Sequence, residues 1–191
     1  MCLDEALIQE QSNCGTQAGV AKIFVIPGES VMALTFNADG VITVITIDAG
    51  AAIPNFVLIA GDLDTPFMTQ EATVANGTNK NVVQTVSSQF SGMNAAKRKA
   101  IELLGKCCNI HVVVQDNNGE LHYLGVSTLS GGNYEARGLR FETGSGNTGT
   151  NPAGDLNAYI FTLKGKIRNF APFVLGGANG ALWTSVPKLT D

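Results

Sequence analysis

The chain has 191 residues, the size of a single domain. Charged residues make up 15% of it, well below the roughly 25% of an average soluble domain, and its net charge is −4. This balance disfavours tight binding to duplex DNA, which usually depends on a basic stripe, and the 45% of hydrophobic residues excludes a disordered chain. A polar, mostly neutral surface suits extensive contact with other proteins.

Residues 1–18 are expected to form an N-terminal arm, or a short helix from Asp4 to Gln11. The arm carries Asp4, Glu5 and Glu10 and lacks the basic start of a secretory signal peptide. No segment of the chain reaches the ~18 apolar residues that cross a bilayer. We therefore expect synthesis in the cytoplasm and no membrane insertion by this chain.

Residues 19–191 are expected to form a single β domain. Short runs of β-branched and aromatic residues alternate with Gly, Asn, Asp and Pro, which is typical of strands and turns. Turns at residues 37–40, 76–80 and 116–119 predict three hairpins. The predicted strands are 22–26, 31–36, 41–47, 55–60, 67–75, 81–90, 110–115, 120–125, 138–142, 156–164 and 172–175.

The hairpin of residues 67–90 has two different faces. Alternate side chains of a strand point to opposite faces, which makes one face apolar and the other polar. The polar face carries small and mostly uncharged side chains, where an exposed strand more often carries Lys and Glu. Its residues are Thr69, Glu71, Thr73, Thr85, Ser87 and Gln89.

One helix is predicted over residues 94–106, with Asn94 as its N-cap. Its basic cluster, residues 97–99, indicates a solvated helix face. The predicted apolar stripe, which should lie on a sheet, consists of Ala96, Ala100, Leu103 and Leu104. Together these elements predict an all-β sandwich or barrel of about ten strands with one flanking helix.

The sequence offers no catalytic constellation. It has no Gly-x-Ser-x-Gly elbow and no phosphate-binding glycine loop. His111 and His122 are expected to share one face of the third hairpin, where Cys108 would be a weak third ligand, and a structural pair of histidines is favoured over a metal site. The four cysteines are expected to be free thiols. We predict no enzyme, no metal and no cofactor.

The order of these segments resembles the major tail tube proteins of tailed bacteriophages, in particular those of phages with Bacteroidetes hosts. The resemblance spans most of the chain. One departure is Ala158, where the family often has glycine. The segments that carry the resemblance are Gly15–Ile26, the hairpin of residues 67–90 with the helix after it, Ile110–Gly125, Gly154–Gly165 and Pro172–Val174.

The resemblance implies a β-sandwich or barrel, six copies of which form a ring, with rings stacked into a hollow tube that conducts DNA into the host. The tubes of contractile tails and of type VI secretion systems share this architecture. Expected partners are further copies of the chain and the tail terminator, baseplate, tape-measure and sheath proteins. The protein would be assembled in the bacterial cytoplasm and reside in the virion tail.

A conduit for a polyanion should have a lining that does not hold it, so the polar face of the 67–90 hairpin is expected to line the lumen. Contacts between subunits or rings are expected from three segments without an obvious role inside the chain, which are the arm, residues 48–65 and the loop of residues 143–154. For this loop, a solvated and flexible state is the alternative. The residues singled out for such contacts are Asp48, Asp62, Asp64, Thr143, Gly146 and Asn151.

Two other classes of function remain open at this point. Tail terminators, neck rings and capsid decoration proteins also assemble from β domains, but they do not stack without limit. A monomeric carbohydrate-binding sandwich would need exposed aromatic side chains, and the chain has only three tyrosines and Trp183.

Overall fold

A computed structural model describes residues 19–51, 56–59, 66–75, 79–91, 93–129, 133–147 and 157–175. The described chain is mostly β-strand with one helix, which confirms the all-β class. The helix is α1 (Ala95–Lys106). The strands are β1 (Val20–Pro27), β2 (Val31–Phe36), β3 (Ile42–Ile47), β4 (Val57–Ile59), β5 (Phe67–Ala75), β6 (Asn79–Ser91), β7 (Ile110–Asp116), β8 (Leu121–Leu124), β9 (Val126–Thr128), β10 (Tyr134–Ala136), β11 (Arg140–Asn147), β12 (Ala158–Ile167) and β13 (Phe173–Val174).

The strands form two main sheets. The seven-stranded sheet has the order β2-β3-β13-β8-β7-β1-β4, and the four-stranded sheet has the order β11-β12-β6-β5. The four-stranded sheet is antiparallel throughout, whereas β13 pairs with β3 in parallel. Strands β9 and β10 form a separate antiparallel pair.

Two apolar cores lie on the two faces of the seven-stranded sheet. Ile23 and Val112 belong to the core shared with Val86 and Phe161 of the four-stranded sheet. The second core, on the opposite face, contains Phe24, Ile26, Phe56, Leu121 and Tyr123 among its larger members. Strands β1 and β7 are therefore buried on both faces, which explains why their sequences are continuous apolar runs.

Helix α1 begins where the sequence predicts. The Asn94 side-chain oxygen accepts a hydrogen bond from the Lys97 amide at 2.8 Å, as an N-cap should. The predicted apolar stripe is only partly right. Ile101 and Leu104 pack against the core between the sheets, while Ala100 and Leu103 are exposed.

Ile101 faces strand β11 at Gly144. A Cβ on Gly144 would clash with the Phe141 ring and lie 3.4 Å, an ordinary contact distance, from the Ile101 side chain, so the missing side chain makes room chiefly for Phe141. The stripe in the sequence could not reveal this contact, because it depends on a strand some forty residues further along the chain.

The prediction of a loop over residues 143–154 is wrong for its first five residues, which belong to a strand. Strand β11 continues to Asn147 and pairs with β12 from Thr143↔Thr162 to Asn147↔Ala158. The Gly and Thr composition suggested a loop, but backbone pairing to a neighbouring strand does not require side chains. Residues 148–154 lie outside the described residues, as do residues 1–18.

Candidate functional site

The candidate site is the face of the four-stranded sheet that points away from the seven-stranded sheet, called the open face below. Directly opposed residues of antiparallel strands point to the same side. Thr69 is opposite Thr85, and Phe67 is opposite Ser87. Alternate residues of β6 and β12, such as Val86 and Phe161, point into the core.

All six residues predicted for the polar face lie on the open face. The other residues of this face follow from the three registers of the sheet, β5 with β6, β6 with β12 and β12 with β11. The remaining members by register are Phe67, Asn81, Val83, Ile160, Thr162, Lys164, Lys166, Arg140, Thr143 and Ser145. Glu142, at the irregularity of β11, joins them through its contact with Lys164.

The six residues differ in their accessibility. Thr69, Glu71 and Thr73 are exposed. Ser87, in contrast, is 5% exposed. Its hydroxyl donates a hydrogen bond to the Phe161 carbonyl at 2.9 Å and accepts one from the Thr162 hydroxyl at 3.3 Å. Ser87 thus lies on the predicted face but is buried there, because its hydroxyl serves the contact between β6 and β12.

The open face carries more charge than the 67–90 hairpin suggested. Strand β12 places Lys164 opposite Thr85 and Lys166 opposite Val83, and β11 places Arg140 opposite Lys164. The Glu142 carboxylate lies 3.1 Å from the Lys164 ammonium. With Glu71 included, three cations and two carboxylates share the described part of this face.

A shallow depression of about 330 Å³ lies among these charges. Val83, Glu142 and the two lysines of β12 belong to its lining. The sequence shows that four alternate residues of β12 share one face, Ile160, Thr162, Lys164 and Lys166. It does not show that β12 lies beside β6.

The residues predicted for contacts between subunits have different surroundings. Asp48 has a role inside the chain: its carboxylate accepts a hydrogen bond from the Gly50 amide at 2.8 Å, and its amide donates one to the Ser30 carbonyl at 2.9 Å. Such a bond from an Asp side chain to the backbone two residues on stabilises a turn.

Thr143 and Gly146 belong to β11. A Cβ on Gly146 would lie 2.8 Å from side-chain atoms of both Met93 and Tyr159, so this glycine also serves packing inside the chain. Asp62, Asp64 and Asn151 lie outside the described residues.

The two histidines lie on opposite faces of the hairpin β7–β8, so the prediction of a shared face is wrong. The register pairs Val114 with His122 and Val113 with Tyr123. His111 alternates with Val113 and therefore shares the side of Tyr123. The reason is a three-residue loop, closed by the bond from the Asp116 amide to the Glu120 carbonyl, with Gly119 at a φ of 91°. A loop with an odd number of residues pairs odd-numbered positions with odd-numbered ones, so His111 and His122 fall on opposite faces.

His111 is buried, and its Nδ1 shares a hydrogen bond of 3.0 Å with the Tyr123 hydroxyl. Burial lowers the pKa of His111 from 6.5 to about 4. His122 lies 3.6 Å from the Asp116 carboxylate. Among the described residues, no three His, Cys, Asp or Glu side chains are grouped to hold a metal ion, and no helix is long and apolar enough to span a membrane.

The four-stranded sheet has two long edges. Strand β5 has nine residues and β11 has eight. Within the described ranges, neither has a partner on its outer side. Unpaired edges of this length are templates for pairing with another chain.

The chain matches no protein-family model, no curated protein and no solved structure.

Proposed function

We propose that this protein assembles into stacked rings that form the hollow tail tube of a bacteriophage, through which DNA passes into the host. The single observation that carries the proposal is the four-stranded sheet, with a largely polar open face and two long edges without partners among the described residues. The resemblance of the sequence segments to tail tube proteins supports the same function.

Pairing β5 of one copy with β11 of the next would satisfy both edges at once. The two strands are similar in length, nine and eight residues, so the pairing would leave little backbone unpaired. With six copies, the number that the resemblance implies, the sheets would close into a barrel of 24 strands. Barrels of about 16–18 strands already enclose an aqueous channel.

The open face would then line the lumen. At a strand spacing of about 4.8 Å, such a barrel would measure about 37 Å between opposite backbones, and more when the strands tilt. Its hydroxyl groups and nearly balanced charges suit a polyanion that must pass without being retained. The pairing of Lys164 with Glu142 at 3.1 Å reduces the attraction of this cation for phosphate.

The lining can be tested by adding charge to it. The double change Thr69→Lys with Thr85→Lys adds two opposed cations per copy to the open face. We expect tubes to form and to retain short duplex DNA on sedimentation, with retention that falls as salt is raised, because phosphate contacts release counterions. The matched control is Thr43→Lys with Thr46→Lys on β3 of the seven-stranded sheet. Equal retention by both variants would contradict the lumen assignment.

The assembly itself is tested at the β5 edge. Ala72→Lys places a charge on the inner side of an exposed edge strand, a device that natural proteins use against edge pairing. We expect wild type and the control Thr46→Lys to form rings and tubes in negative-stain electron microscopy, and Ala72→Lys to remain small by light scattering. Rings of wild type that never stack would favour a terminator, neck or decoration protein, and a lasting monomer would favour a binding module.

A further inference from the structure

An apolar groove of about 170 Å³ lies between α1 and the edge of the seven-stranded sheet formed by β1 and β4. The helix contributes Leu103 and the residue after its end, Cys107, also lines the groove, while the sheet contributes Val25, Val57 and Ile59. Leu103 is 51% exposed and Val57 48% exposed. Grouped apolar side chains left open to water mark a contact site.

The helical rim of this groove is basic. Lys99 precedes Leu103 by four residues and Lys106 follows it by three, so both lie on the same helical face as Leu103. Glu102 lies one helical turn before Lys106, but its carboxylate is paired with Arg98 at 3.5 Å. Near Cys107 lies one further carboxylate, that of Glu29. The rim over Leu103 favours an acidic partner that offers aliphatic side chains.

Two terminal segments of the chain could supply such a partner. Residues 1–18 combine Leu3 and Leu7, one helical turn apart, with Asp4, Glu5 and Glu10. Residues 176–191 also contain apolar side chains but only one acidic residue, at position 191. Charge complementarity with Lys99 and Lys106 therefore favours the N-terminal segment.

We propose that residues 3–8 of the chain dock in this groove of the same chain, with Leu7 inserted beside Leu103 and the acidic residues facing Lys99 and Lys106. The segment can reach it. Strand β1 is eight residues long, about 25 Å, and the groove lies at its far end. The ten residues between Ile8 and Gly19 can span about 33 Å when extended. This inference does not depend on the proposed function.

The two adjacent cysteines at the end of α1 provide the test. Cys107 lines the groove, while Cys108 is exposed. We expect Leu7→Arg in the full-length chain to raise the alkylation rate of Cys107 about threefold or more, because accessibility limits the reactivity of a half-buried thiol. The rate is read by mass spectrometry of the peptide that contains both residues. Cys108 is the internal control, and Gln11→Arg is the matched variant that adds the same charge without removing an aliphatic anchor.

A Cys107 rate that is the same in wild type, Leu7→Arg and Gln11→Arg would overturn the proposal. If removal of residues 176–191 raises the rate and Leu7→Arg does not, the occupant is the C-terminal segment and the proposal is also wrong. The intrachain contact predicts a rate independent of protein concentration. A wild-type rate that rises on dilution would assign the segment to a second copy and contradict docking within one chain.

Discussion

At the scale of single residues, burial controls the behaviour of His111. The imidazole is 1% exposed and hydrogen-bonded to Tyr123, and its pKa falls to about 4 in the folded chain. The unfolded chain takes up this proton near pH 6.5, so between these two values the unfolded state binds more protons than the folded one. The contribution of neutral His111 to the free energy of unfolding is therefore complete above about pH 6.5 and is lost as the pH falls toward 4.

This difference predicts a pH-dependent stability. His111 should account for about 3 kcal/mol of the free energy of unfolding that is lost on acidification. Urea denaturation at pH about 7.5 and about 4.5 should show a smaller loss for His111→Gln than for wild type. His122→Gln is the control on the opposite face of the hairpin. An equal loss in wild type and His111→Gln would show that other groups cause the pH dependence.

Gln84 links the two sheets through its side-chain amide. Its oxygen accepts a hydrogen bond from the Gly125 amide at 2.9 Å, and its nitrogen donates to Gln70 and to the Asn169 carbonyl at 3.3 and 3.4 Å. Gln84 is fully buried. The alternation of β6 puts this residue on the face opposite to that of Thr85, but its partners come from distant segments and could not be predicted.

Gln84→Leu should therefore lower the free energy of unfolding by about 2 kcal/mol or more, because the buried Gly125 amide loses its acceptor. The control Thr85→Val changes the next residue, on the open face, and should change stability by less than about 0.5 kcal/mol. Urea denaturation at neutral pH measures both. A similar effect of the two changes would contradict the role of the buried amide.

At the scale of elements, local chemistry located most strands and the helix. The turn at Asn37 shows why: its side-chain oxygen accepts hydrogen bonds from the Asp39 and Val41 amides, and Gly40 has a φ of 77°. The pair β9–β10 was missed, because its two short strands have mixed polar and apolar side chains, unlike the apolar three-residue strand β4. The orientation of α1 was partly missed, because it depends on contacts with β11.

Two glycines mark a close approach that local chemistry does not reveal. Gly125 has a φ of 92°, and a Cβ there would lie 2.6 Å from the Gly138 Cα. Gly138 also has a positive φ and donates a hydrogen bond to the Gly125 carbonyl at 2.8 Å. Backbone packed against backbone cannot move aside for a methyl group.

Gly125→Ala should consequently cost about 3 kcal/mol or more and yield little folded protein. Gly40→Ala is the matched control. It has a similar positive φ, but a Cβ added there would meet no atom within 4 Å, so only the backbone strain of about 1–2 kcal/mol applies. Circular dichroism with thermal unfolding distinguishes the two. Equal melting temperatures would contradict the account of the close approach.

At the scale of the whole molecule, the sequence predicted a β protein but not the order of its strands. The alternation within β5 and β6 placed the six polar residues on one side of their hairpin. The neighbours across β12 could not be predicted, because β12 follows β6 by more than sixty residues and its pairing is not encoded locally. The pairing of β12 with β6 is the reason why Lys164 and Lys166 lie on the open face and why Ser87 is buried.

The central claim is that copies of the chain join through the edges of the four-stranded sheet and enclose a lumen lined by its open face. A cryo-electron microscopy reconstruction of the particles formed by concentrated full-length protein tests this most directly. We expect stacked rings whose inner wall is a continuous sheet, with β5 of one copy beside β11 of the next and α1 outside the wall. A lumen lined by another element, or a protein that remains monomeric at every concentration, would contradict the claim.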